Sequence, residues 1–217
     1  MPANKKTTRL LAPVLLCAAI ALAACGGGGH EDGHHDDAYH IDTAGRLVIA
    51  ADAAASVRVY DLDSSQVHAT HTLANPASAL YTSPGGRYAV VMQQNQDAVQ
   101  FVDGGIWQED HGDHMHDYKA ASNMMAWTLA GPRPSHFDVQ HGKQAAIFMD
   151  GRGDAVPPQY STVRLITDAS IAGGSVTAGL DLDYAVHGLA EPRDDVLLVA
   201  HRATDAPDAL PTHLNVY

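Results

Sequence analysis

The chain has 217 residues, 46% of them apolar and 6% aromatic, with 25 acidic against 13 basic side chains and a formal net charge of -12. That balance argues against nucleic acid as a partner and favours cations. Its two cysteines are Cys17 and Cys25, so the chain beyond residue 25 has no thiol for a disulfide or a thiolate centre, and any bound metal must be held by nitrogen and oxygen.

Lys5, Lys6 and Arg9 precede the apolar run LLAPVLLCAAIALAA, which gives residues 1–24 the charged region, apolar region and small-residue cleavage site of a signal peptide for export. The run is too short for a convincing membrane-spanning helix. LAAC (Leu22 to Cys25) resembles a bacterial lipobox, with Cys25 as the lipidated first residue of a lipoprotein; a non-lipidated signal cut nearby is the alternative. Lipidation would tether the protein without spanning the membrane, with Gly26 to Gly29 as the leash. Removing the three leader cations takes the net charge from -12 to -15. Residues 25–44 are a flexible Gly- and His/Asp-rich tract, in which HEDGHHDDAYH has no apolar periodicity and reads as disordered. Its His30, His34, His35 and His40 are candidates for secondary metal capture; a disordered acidic linker is the competing reading.

From residue 45 to 217 the texture changes to short β-branched runs punctuated by Gly, Pro, Asn and Asp. GRLVIAADAAASVRVYDLD (45–63) is echoed by GRYAVVMQQNQDAVQFVDG (86–104), and more loosely by residues 142–168 and 194–217. Each echo reads as one strand, a polar turn and a second strand near an aspartate, then a third strand such as QVHATHTL or MMAWTL. A short leading strand precedes the glycine, as in residues 78–87, 135–143 and 186–195. Four strands per unit, repeating every forty to fifty residues or so, is the pattern of propeller blades. A plain β-sandwich is the alternative, but nothing in a sandwich requires strands to repeat in this order. The expected fold is therefore all-β, a partial β-propeller of about three to four blades, fewer than most closed propellers contain. HLNVY at residues 213–217 reads as a strand interrupted in mid-blade, so a truncated product or the first half of a longer protein is expected.

EDHGDHMHDY (Glu109 to Tyr118) packs three histidines, three aspartates and a glutamate into ten residues, within an insertion of about twenty residues that the first unit lacks. Carboxylates so close repel one another, and a divalent cation would hold them together. In extended chain His114 and His116 face one side, and Gly112 permits a turn that brings His111 and Asp113 round to it. Zinc takes about four such ligands at ~2.0–2.2 Å. A solvated acidic loop with incidental histidines is the competing reading. His136 and His187 occupy matching positions at the start of successive leading strands, which line the channel of a propeller, and are expected to converge. The insertion leaves from the other end of its blade, yet twenty residues extend over ~60 Å while a five-residue strand covers ~17 Å, so one shared site is within reach.

DGGIWQEDHGDHMHDY (103–118), LAGPRPSHFDVQHGKQAAIFMDG (129–151) and the His/Asp-rich N-terminal tract together resemble the AztD-type periplasmic zinc metallochaperones, β-propellers associated with zinc-importing ABC transporters. The resemblance implies Zn2+ binding in the periplasm and delivery to a solute-binding protein. It carries the metal-ligand role to His111, Asp113, His114, His116, His136 and His187. A metal-dependent hydrolase or lactonase, with Glu109 or Asp117 as base, is the rival reading, although no nucleophile motif accompanies it. A non-catalytic interaction propeller is the third. GRGD (Gly151 to Asp154) reads as turn chemistry, and Met124, Met125 and Trp127 as blade packing rather than a copper site.

Overall fold

The computed structural model describes residues 43–217 except 52, 111 and 207; the signal peptide, the histidines of the N-terminal tract and His111 lie outside the described residues. Four antiparallel sheets follow one another along the chain as the blades of a partial propeller. The first contains β1 (Arg46–Ala50), β2 (Ser56–Asp61) and β3 (Gln66–Thr72). The second contains β4 (Ala79–Thr82), β5 (Tyr88–Gln93), β6 (Ala98–Asp103) and β9 (Asn123–Ala130), in that spatial order. Between β6 and β9, β7 (Ile106–Asp110) and β8 (Met115–Lys119) form a separate two-stranded hairpin. The third blade contains β10 (Pro134–Gln140), β11 (Gln144–Met149), β12 (Thr162–Ile166) and β13 (Ala178–Asp181), and the fourth β14 (Gly188–Arg193), β15 (Val196–His201) and β16 (Asn215–Val216).

Alternation of side chains along each strand explains why these sheets stack face to face. Tyr88, Val90 and Met92 of β5 turn toward Ala145, Ile147 and Met149 of β11, joined by Phe101, Ile166 and Ile171. The intervening residues Ala89 and Val91 turn the other way and pack on Val57 and Val59 of the first blade. Ala146 and Phe148 likewise cross to Ala190, Leu197 and Val199 of the fourth. The two middle blades are thus apolar on both faces, and β5 is buried at every position. On the outward faces of the end blades, Leu47 and Ile49 are each 50% exposed and Leu189 is 43% exposed. In a closed propeller the next blade covers such a face.

Met124, Met125 and Trp127 are packing residues: Trp127 stacks on Phe101 with centroids 4.6 Å apart and its indole N–H donates to the carbonyl of Ile171 at 2.8 Å. In GRGD, Gly151 adopts φ +76° and a Cβ there would lie 2.5 Å from the carbonyl oxygen of Gln159, while Arg152 pairs with Asp97 at 2.7 Å. Both features belong to a turn. The repeat pattern did not anticipate the short helix α1 (Asp168–Ala172), which starts on a Thr167 capping box between the second strand of its unit and the third.

Candidate metal sites

The insertion expected as an extended loop is a hairpin whose five paired positions run from Ile106 opposite Lys119 to Asp110 opposite Met115. Trp107 stacks on Tyr118 across the strands at 5.3 Å, a cross-strand aromatic pair that favours this register. Gly112 turns the chain at φ +93° and its N–H donates to the Asp110 carboxylate at 2.7 Å. On the turn and β8, His114 Nε2 and His116 Nε2 face each other at 2.5 Å, as their spacing of two residues on an extended segment requires. Oδ1 of Asp113 lies 2.5 Å from Nδ1 of His114. A carboxylate there favours the tautomer protonated at Nδ1, which turns the Nε2 lone pair toward His116.

His136 and His187 converge in the same manner, with Nε2 atoms 3.2 Å apart. Three local features place them. The pairing of β10 with β11 shifts register between Pro134 and His136, an irregularity of the kind that re-aims side chains. Asp150, 6% exposed, accepts from Ser135 Oγ at 2.5 Å on one oxygen and lies 3.0 Å from Nδ1 of His187 on the other. The backbone N–H of Val186 donates to the fully buried Ser161 Oγ, which itself donates to the carbonyl of Asp150, so the residue before His187 is tied to the same place. Burial, and then the neighbouring His187, hold the pKa of His136 below the ordinary imidazole value, so it is neutral and able to ligate at neutral pH.

Of the expected ligands, the five among the described residues do not gather at one point. A cavity of about 710 Å³ is lined by Trp107, Met115 and Asp117 of the hairpin and by Gly86 and Gly142, turn residues at one end of the second and third blades. His136 stands at the other end of β10, six residues before Gly142, or ~20 Å at strand rise. Beside His187 is a second cavity of about 460 Å³, lined also by Arg133, Arg152 and Arg202. Among the described residues no group of three or more His, Cys, Asp or Glu is arranged to hold a metal ion, so each site offers a histidine pair with a carboxylate behind it. His111 lies outside the described residues.

Asp150 was missed in the sequence because nothing local distinguishes an aspartate at a strand end from turn chemistry. The only signal was its neighbourhood, the matched histidines at the same position of two successive blades. Elsewhere, Ser122 Oγ lies 2.8 Å from Nε2 of His71, but it is 7% exposed and donates to the carbonyl of Asp103, so the pair fastens two blades.

No family model matches the chain. Among solved structures it is similar to AztD from Citrobacter koseri, with a TM-score of 0.68 and 25% identity over 79% of this chain and 44% of that one. Apo AztD from the same organism gives 0.65 and 23% over 79% and 43%. The chain therefore spans less than half the length of the AztD chains it matches, and what it shares with them is a run of propeller blades.

Proposed function

We propose that this chain is a periplasmic Zn2+-binding metallochaperone, which captures the ion and delivers it to the solute-binding protein of a zinc ABC importer. The observation that supports this most is the repeated arrangement of two imidazole Nε2 atoms facing each other with a carboxylate on the remote nitrogen of one ring, built independently on the hairpin and at the blade edge. Similarity to AztD supports the same reading. His114 and His116 hold one ion with His111 and Asp113 as further donors; His136 and His187 hold the other. A two-histidine start leaves coordination positions open to a receiving protein, so incoming ligands replace outgoing ones stepwise.

His30, His34, His35 and His40 in this reading collect ions near the sites by tethering, and Cys25 anchors the protein at the membrane. Among the described residues no helix is long and apolar enough to cross a membrane. Zinc titration calorimetry on the wild type, on His114→Ala/His116→Ala and on His136→Ala/His187→Ala tests the proposal. Each double variant is expected to lose one equivalent; full binding by a variant lacking all four would overturn it.

A further inference from the structure

We propose that Arg46 and Lys119 are positioning residues for the hairpin metal pair, fastening the base of the β7–β8 hairpin to the first blade so that His114 and His116 are ordered before zinc arrives. The proposal rests on reading those histidines as ligands. The hairpin needs such a fastening because β7 and β8 pair with each other and with no other described strand. An isolated two-stranded hairpin is marginal in water.

The fastening has three parts. Arg46 has a side chain 5% exposed; its Nη1 donates to the carbonyls of Gly104 and Ala120, both at 2.7 Å, which are the residues where the chain enters and leaves the hairpin. Its Nε is held by Asp61 at 3.2 Å. Lys119, the last residue of β8, bridges Asp61 and Asp63, each at 2.7 Å. From the second blade, Arg87 lies 4.3 Å from the Trp107 ring centroid while its Nη2 pairs with Asp103 at 2.7 Å.

Arg46–Asp61 and Arg87–Asp103 are the same element of the repeat, an arginine after the glycine and an aspartate closing the second strand, turned in both blades onto the inserted hairpin. Gly105 makes room for it. At φ +71° a Cβ would lie 2.6 Å from both Arg46 Nη1 and the carbonyl oxygen of Ala120, so any side chain there displaces the guanidinium from the hairpin base. Ordering paid in advance by these contacts need not be supplied by the metal.

The test uses Lys119→Met, which keeps the apolar stem and removes the bridging ammonium, and Lys119→Arg, which keeps the charge. Zinc affinity is measured by chelator competition in a His136→Ala/His187→Ala background for the hairpin and in a His114→Ala/His116→Ala background for the blade edge. Lys119→Met is expected to weaken the hairpin equivalent about tenfold, leave the other unchanged, and be rescued by Lys119→Arg. Equal loss at both sites, or none at the hairpin, overturns the proposal. Hydrogen exchange of the hairpin ladder amides without metal reads the fastening separately: it should quicken in Lys119→Met and in Arg46→Lys, and unchanged exchange would overturn the proposal. Quickened exchange with no zinc on the hairpin even before substitution would instead overturn the ligand reading while leaving the fastening in place.

Discussion

Replacing Asp150 with asparagine isolates one charge behind one ligand. The carboxylate sits 3.0 Å from Nδ1 of His187 and accepts from Ser135 Oγ at 2.5 Å, with only 6% of the residue exposed. Asparagine has the same shape; its carbonyl can still accept from Nδ1–H, and its amide can donate to the serine oxygen. What disappears is the negative charge that raises the basicity of Nε2. Loss of a partner of this kind costs about 10–100-fold in metal affinity. Because geometry is retained, about tenfold, or ~1.4 kcal/mol, is expected. Asp150→Ala, which also frees the ring and leaves Ser135 Oγ only the carbonyl of Phe148 at 3.2 Å, should approach about 100-fold. The assay is chelator competition at pH 7.5 in the His114→Ala/His116→Ala background, where only the blade-edge equivalent is read. Unchanged affinity in both Asp150 variants, with circular dichroism like that of the parent, would refute the claim that the carboxylate tunes a ligand.

Zinc binding should fall between pH 7.5 and 5.5, because an imidazole must be neutral to ligate and the pKa of free imidazole is about 6.5. His136, depressed by burial first and His187 second, contributes stability that is present above that value and lost as pH drops through its lower folded one. The hairpin fastening behaves differently: Lys119 is the leading cause that holds Asp61 far below the usual carboxylate range and lowers Asp63 to about 2, so their contribution is lost only as pH falls from about 4 toward 2. Chelator competition and circular dichroism at pH 5.5 should therefore show metal lost and fold retained. Phe101→Ala removes a fully buried ring between two blades and should cost about 3–5 kcal/mol in urea denaturation, against no measurable change for Val156→Ala at a position 98% exposed. Gly188→Ala places a Cβ 2.8 Å from Phe148 Cζ and 2.7 Å from the carbonyl oxygen of Ala200, immediately after His187; the blade-edge zinc equivalent should weaken while the hairpin equivalent does not.

The blade order was legible in the sequence because a β-strand buried on both faces has few ways to look. GRYAVVMQ repeats the texture of GRLVIAAD, and both became strands, β5 buried at every position inside its sheet and β1 half-exposed at the edge of the first. Matching positions for His136 and His187 were legible for the same reason, since a repeat carries register with it. The hairpin was not, because Glu109, Asp110 and Asp113 look like loop chemistry; pairing there is favoured by Trp107 against Tyr118 and by Arg87 from another strand. Composition within ten residues cannot reveal a partner twenty residues away. Nor could sequence separate the two sites: extended length gave the insertion ample reach, but folding back on itself at Gly112 used that length up.

Placing one histidine pair at each end of the blades has a chemical consequence. The edge pair is backed by a buried aspartate, a serine and a register shift, so His187, with a side chain as exposed as that of His114 at 44%, is nonetheless oriented from the core. The hairpin pair is backed by Asp113, whose side chain is 79% exposed, on a two-stranded element tied down at its base. A ligand oriented by a buried carboxylate is replaced slowly, because its ring must break that hydrogen bond to turn away; ligands backed by an exposed carboxylate on a turn can be replaced one at a time by those of another protein. A zinc carrier needs both properties, and on a single site they oppose each other. Under the proposed function, two sites of unequal rigidity on one scaffold would remove the conflict, with the hairpin as the surface for exchange with a partner and the blade edge as the place where an ion is kept.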